Sequence, residues 1–253
     1  MRAGELYVNV ILKCAGTEAE NRLNSRQYSV NILNMNAHEL MEAITVSENS
    51  EFAIAAFSEK NKGASRQIHR EVNRLVHNYV CAVSTFADHS RNFMKRYYTG
   101  IDFQLDYNAE IQRVFNSSEH CRFVRDLRNY MTHRGLPDSN FRMKATRIGS
   151  VDNPVDTSGG VPCDVTSGVF YKTERFIEWD GWTAPARRYL LAADREMELR
   201  VIFDGHIEIM YEFNAWFLER FKNHHKADYE ELAELEAEYE RLHEVEQDGA
   251  GNT

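Results

Sequence analysis

Residues Ser65–Tyr98 read SRQIHREVNRLVHNYVCAVSTFADHSRNFMKRYY, and their spacing decides the fold class. Ile68, Val72, Leu75, Tyr79, Val83, Phe86 and Phe93 recur at steps of three, four and seven residues. That period puts them on one stripe of a long amphipathic α-helix. Gly63 before the run and Gly100 after it mark its ends. Working outward, Ser50–Asn61 predicts a shorter helix and Asp106–Phe115 another. Asn36–Ala43 predicts a third, with Asn36 as cap and Glu39 three residues later. The first 35 residues are ambiguous: Tyr7–Leu12 and Tyr28–Leu33 suit either strands or pieces of helix.

The character changes after Pro137. Phe141–Ile148 and Val169–Trp179 alternate in polarity and are rich in aromatic and β-branched residues, which predicts two strands. Gly149–Gly168, poor in apolar residues, predicts a mobile loop between them. Helical spacing returns at Ala184 and continues to Phe221, with Gly205 as a kink or a break. The expected fold is therefore mainly α, a helical bundle with a β-hairpin inserted at about 141–180, and no internal repeat is visible.

The net charge is −9, and it is unevenly placed. From Lys226 to Asp248 ten acidic residues face only Lys226 and Arg241, a net of −8, which leaves about −1 for residues 1–225. Local basic patches on that near-neutral body can therefore matter. Residues 226–253 are expected to form a separate acidic C-terminal helix with a short disordered tail. Its Leu232, Leu235, Tyr239 and Leu242 follow three-four spacing. Such a narrow seam suits docking on the body, dimerisation, or an acidic decoy for a basic groove. No apolar run approaches the roughly 20 residues that span a bilayer, and no signal peptide is expected. Cys14, Cys81, Cys121 and Cys163 lie far apart without a CxxC pair, which suggests a reduced, cytoplasmic setting and no metal. Adjacent His224 and His225 point about 100° apart on a helix and do not make a metal site. Trp179 and Trp182 offer faces for base stacking, although aromatic residues at a hairpin-to-helix join are more often core.

The chemistry concentrates in Asn116–Pro137. Asn116 is the expected cap, with Glu119 reaching back; Gly135 suits a left-handed stop, and Pro137 forbids continuation. At 100° per residue, Phe123, Val124, Leu127, Tyr130 and Met131 share one side. Ser118, Arg122, Arg125, Asn129, Thr132 and His133 share the other, with Arg128 at the boundary. Asp126 is the one acid inside this helix, so its arginines have few carboxylates of their own to pair with. An arginine row beside a histidine is what phosphate binding and proton transfer require.

Arg128-Asn129-Tyr130-Met131-Thr132-His133 resembles the Arg-Asn-x-x-x-His motif of HEPN-domain ribonucleases. Arg70–His77, Arg113–His120, Arg200–His206 and Arg220–His225 have a similar spacing, but none has Asn after the arginine. The motif match covers about 20 residues, and the helical run Asn36–His133 suits the family's bundle more loosely. The resemblance implies a HEPN-like domain over residues 1–225 and an endoribonuclease that works without metal or other cofactor. His133 would transfer protons, Arg128 would stabilise the phosphate, and Asn129 would orient one of them. Arg122, Arg125 and Arg134 would hold the RNA backbone. It also implies a homodimer with a composite site, a role as toxin or anti-phage defence effector, and an antitoxin or defence-system partner. A catalytically inert helical module that binds RNA or protein is the alternative.

Overall fold

The computed structural model describes residues 2–58, 63–147 and 163–250. Among these the chain is mainly α-helical with one small antiparallel sheet, as the spacing predicts. Helix α1 is Ala3–Asn9, α2 Ala15–Glu48, α3 Ser50–Phe57, α4 Ala64–Tyr97 and α5 Asp102–Ile111. Then come α6 Glu119–His133, strands β1 Ser139–Arg147 and β2 Cys163–Lys172, α7 Thr173–Ile177 and α8 Ala184–Ala192. Strand β3 Glu196–Glu198, α9 Leu199–His224 and α10 Lys226–Ala250 complete the order. No helix of the described residues is long and apolar enough to cross a membrane.

The chain divides into two compact units. The first comprises Met1–Asn31, His89–Asn108 and Glu212–Thr253. Its aromatic core includes Phe93, Tyr98, Phe103, Phe213, Phe217 and Phe221. The seam of α10 is occupied within the chain: Leu232, Leu235, Tyr239 and Leu242 pack with Leu6 of α1 and with Ile11. Gly16 permits this approach, because a Cβ there would stand 2.6 Å from the Asp228 carbonyl oxygen and from Leu232 Cβ. His225 is buried between Tyr98 Oη at 2.9 Å and Asp228 Oδ2 at 2.7 Å. Since a carboxylate only accepts, Nδ1–H donates to Asp228. His224 instead stacks its ring on Phe103.

The second unit comprises Ile32–Asp88 and Ala109–Tyr211, and it holds the sheet and α6. Strand order is β1-β2-β3, with Phe141 opposite Val169 and Tyr171 opposite Met197. Those four side chains are buried, so one face of the sheet supplies core. Tyr79 and Phe203 meet edge to face at 5.7 Å in the same interior.

Several boundaries differ from expectation, each for a local reason. Residue 36 does not start a helix. Asn36 lies inside α2 and its Nδ2 donates to the Ile32 carbonyl, 2.8 Å away. The α2 stripe (Ala19, Arg26, Val30, Leu33, Ala37, Leu40, Ile44, Ser47) mixes in small and polar residues, which hides its period. Helix α3 stops at Phe57, and 59–62 lie outside the described residues. The second strand starts at Cys163, inside the expected loop, and ends at Lys172. Alternation fails at Lys172-Thr173-Glu174-Arg175, where the chain turns into α7. The rest of the expected loop, 149–162, lies outside the described residues. Gly205 does not break a helix; it sits within α9, where an added Cβ would meet His120 Cε1 at 3.4 Å. The helical run expected from Ala184 is divided by β3, a three-residue strand that completes the sheet.

His206 is 1% exposed, and its Nδ1 lies 2.7 Å from Tyr79 Oη. Burial pushes its pKa down to about 3, with His120 contributing. A histidine lowered in the folded state stabilises fully above its unfolded pKa of about 6.5 and loses that contribution as pH falls from there towards 3. The expected slope is about 1.4 kcal/mol per pH unit for this residue alone. Thermal melts between pH 7.5 and 5 should show a falling Tm, and His206→Gln should be less stable at pH 7.5 but flatter below it. An unchanged slope in the variant removes His206 as the source.

Candidate active site on helix α6

Helix α6 is capped by Ser118, not Asn116. Residues Gln112–Asn116 form a π-helical turn after α5, and Asn116 Nδ2 donates to Gln112 Oε1 at 3.0 Å. The backbone reaches the extended conformation that a cap needs only at Ser118 (φ −85°, ψ 118°), whose Oγ accepts from Cys121 N at 3.2 Å. The other end is as expected. Arg134 and Gly135 both donate backbone N–H to the Tyr130 carbonyl, at 2.8 and 3.3 Å. Gly135 takes φ +124°, a conformation that disfavours residues with a Cβ.

The two faces separate as the sequence predicts. Phe123, Val124, Leu127, Tyr130 and Met131 are buried. Phe123 stacks on Tyr189 of α8 at 4.9 Å and meets Phe176 edge to face at 5.7 Å. Tyr130 stacks on Trp182 at 5.5 Å with an interplanar angle of 14°. Arg125, Arg128, Asn129, Thr132, His133 and Arg134 are exposed, and Arg122 is half-buried. Helix geometry is regular through His133. Arg128 and His133 are therefore about 140° apart around the axis and about 7.5 Å apart along it.

Partners distinguish these side chains. Among the described residues Arg128, Asn129 and His133 make no side-chain hydrogen bond or ion pair; Arg128 contributes only its carbonyl, which accepts from Thr132 Oγ1 at 2.9 Å. Arg134 reaches Glu178 at 4.0 Å. Among the described residues Arg122 Nε is buried without a hydrogen-bond partner, while Arg125 is already engaged. Three of the other Arg–His spacings are consumed by the fold. His120 Nε2 bonds the Ile202 carbonyl at 2.8 Å and His206 bonds Tyr79, while His225 lies between Tyr98 and Asp228. Arg113, Arg200 and Arg220 pair with Glu110, Glu48 and Asp106. In the fourth, His77 Nε2 lies 3.8 Å from Cys81 Sγ on α4.

Comparison with protein-family models, curated proteins and solved structures finds no match for the chain.

Two features of this site escape sequence reasoning. Asp126, expected as a lone acid among arginines, is 2% exposed and serves another element. Its Oδ2 accepts from Thr183 N at 3.0 Å and from Thr183 Oγ1 at 2.5 Å. Thr183 is the N-cap of α8, so this carboxylate ties α8 to the motif helix. Near the other end, Arg175 and Glu178 stand beside Tyr130 and Arg134. Burial raises the Tyr130 hydroxyl, and the neighbouring Arg134 acts against that rise. Only the turn into α7 brings those residues close, and no spacing in the sequence announces it.

Asp126→Ala leaves the part-buried Thr183 N–H without its acceptor, and about 1–3 kcal/mol of stability should be lost. Urea unfolding monitored by circular dichroism measures it, and Asp126→Asn, which keeps an acceptor, should recover part of the loss. If Asp126→Ala matches the parent midpoint, the tie to α8 carries no weight.

Proposed function

We propose that the chain is a metal-independent endoribonuclease of the HEPN type, with Arg128, Asn129 and His133 as its site. One observation carries the reading: these three side chains are exposed and have no side-chain partner among the described residues, whereas the histidines of three similar spacings are engaged by hydrogen bonds within the fold. Polar groups that the fold leaves unengaged, on a helix whose opposite face is fully packed, are available for a ligand.

Each role follows from the group. A neutral imidazole at His133 removes the proton from an RNA 2′-OH, and the 2′-oxygen attacks the adjacent phosphorus. The bond to the 5′-oxygen breaks, and that oxygen takes a proton from water or from a second imidazole. The products are a 2′,3′-cyclic phosphate and a 5′-hydroxyl. Arg128 stays protonated throughout and stabilises the charge that grows on the phosphoryl oxygens. Asn129, one helical turn before His133, orients the imidazole or the phosphate by hydrogen bonding. Arg122, Arg125 and Arg134 lie along the same helix and hold the flanking backbone. A homodimer pools two such helices, which brings an arginine of one copy to the histidine of the other. RNA cleavage of this kind suits growth arrest or anti-phage defence, and an antitoxin or defence-system partner would then restrain it.

The purified chain should cleave a structured RNA in EDTA and leave 2′,3′-cyclic phosphate ends. His133→Ala should slow cleavage by about 10²–10⁴-fold, and Arg128→Ala by about 10²–10³-fold, at unchanged Tm. Mixing the two variants should restore part of the activity if the site is shared between copies. Binding without cleavage makes the chain an inert RNA-binding module. Cleavage that EDTA abolishes, or that survives His133→Ala, excludes the mechanism.

A further inference from the structure

Trp179 and Trp182 both flank α6, but the fold treats them differently. Trp182 is 6% exposed, and its Nε1 donates to the Phe176 carbonyl at 2.7 Å. It is committed to the core. Trp179 is half-buried, and among the described residues its indole N–H donates no hydrogen bond. Three neighbours nevertheless hold the ring. It stands at 88° to Tyr130, centroids 5.4 Å apart, and at 86° to Trp182, centroids 4.9 Å apart. It also lies against the Gly181 backbone, where an added Cβ would come within 2.2 Å of the ring. Any side chain at 181 would displace a rigid indole, so glycine is what lets it lie there.

Cations surround this ring's neighbour. Arg134, next to His133, and Arg175 each approach Glu178 at 4.0 Å, and all three side chains are exposed. That distance is too long for a hydrogen bond, so both guanidiniums keep donors for another acceptor. Asp138 is the second acid near Tyr130. A part-exposed indole in edge contact with Tyr130, whose hydroxyl has both guanidiniums near it, matches one unpaired nucleotide: the base stacks on the indole and the phosphate is bound by the fork of donors.

We propose that Trp179, Arg134 and Arg175 form a nucleotide subsite beside the α6 motif, which takes an unpaired base of single-stranded RNA on the indole and its phosphate on the arginines. Glu178 holds the arginines in place until the phosphate displaces it from them. The proposal rests on the ribonuclease reading and specifies the substrate as single-stranded at this point, since a base within a duplex cannot reach a ring.

Binding, not cleavage, tests it. The full chain carrying His133→Ala is titrated into a fluorescent short oligoadenylate, either intact or with one abasic residue moved along it. Trp179→Leu should weaken binding of the intact strand by about 5- to 100-fold, and Trp179→Phe should retain most of the affinity. At the most sensitive position an abasic residue should weaken the Trp179 chain by a similar factor and leave Trp179→Leu unaffected. Glu178→Gln should tighten binding severalfold, a gain that damage to the fold cannot produce. Equal affinities for Trp179→Leu and its parent, or equal abasic losses in both, overturn the subsite while the cleavage assay still decides the ribonuclease reading. Absence of RNA binding by the parent overturns both.

Discussion

Helix α6 has one side that must be buried, and the site depends on that constraint. Phe123, Val124, Leu127, Tyr130 and Met131 are all buried, and each such side chain contributes roughly 1.5–3 kcal/mol relative to exposure. Their sum is on the order of 10 kcal/mol, comparable with the net stability of a whole domain. No rotation of the helix about its axis can keep that burial and also hide Asn129 and His133. The exposure of the motif is therefore enforced by apolar side chains that take no part in any chemistry. Asp126 adds a polar lock, since its bonds to Thr183 fix how α8 meets the same helix.

The histidines show why spacing is a poor guide until the fold is known. Five Arg–His pairs have a similar interval in the sequence. His206 and His225 are buried and His120 is half-buried, and each is held by at least one well-placed hydrogen bond. A histidine used in this way is held neutral or fixed by its partner, and neither its proton nor its ring is available to a substrate. Desolvation lowers both His120 and His206, away from the range in which proton transfer at neutral pH is efficient.

Long-period patterns were legible and close approaches were not. The α4 stripe, the two faces of α6, its glycine stop and the seam of α10 all follow from residues a few positions apart, so the sequence carries them openly. The α6 cap is not fixed by residue type alone, because Asn116 and Ser118 are equally good capping residues. The choice falls to Ser118 only because the π-helical turn at Gln112–Asn116 keeps the preceding backbone helical. Helix α2 is legible in the sequence only over Asn36–Ala43, for the opposite reason, since Arg26 and Ser47 occupy core-facing positions on its stripe. Arg26 lies over the Phe217 ring at 3.7 Å with Nη1 bonded to Asn214, partners nearly 190 residues away. Glu178 and Trp179 became neighbours of α6 for a similar reason: the end of β2 and the turn into α7 are set by pairing with β3, a strand too short to leave a pattern.

The regularity of α6 constrains how any reaction could be organised. The helix keeps its geometry to His133 and departs from it only at Arg134 and Gly135, so unwinding at the end does not move the histidine towards Arg128. A separation of about 140° around the axis must then be closed by the length of the arginine side chain or by a second helix. The first route draws the guanidinium across the exposed surface of its own helix, with loss of side-chain freedom. The second leaves each side chain extended and lets the arginine of one copy meet the histidine of another. Both residues are exposed and, among the described residues, make no side-chain hydrogen bond or ion pair, a state compatible with either route.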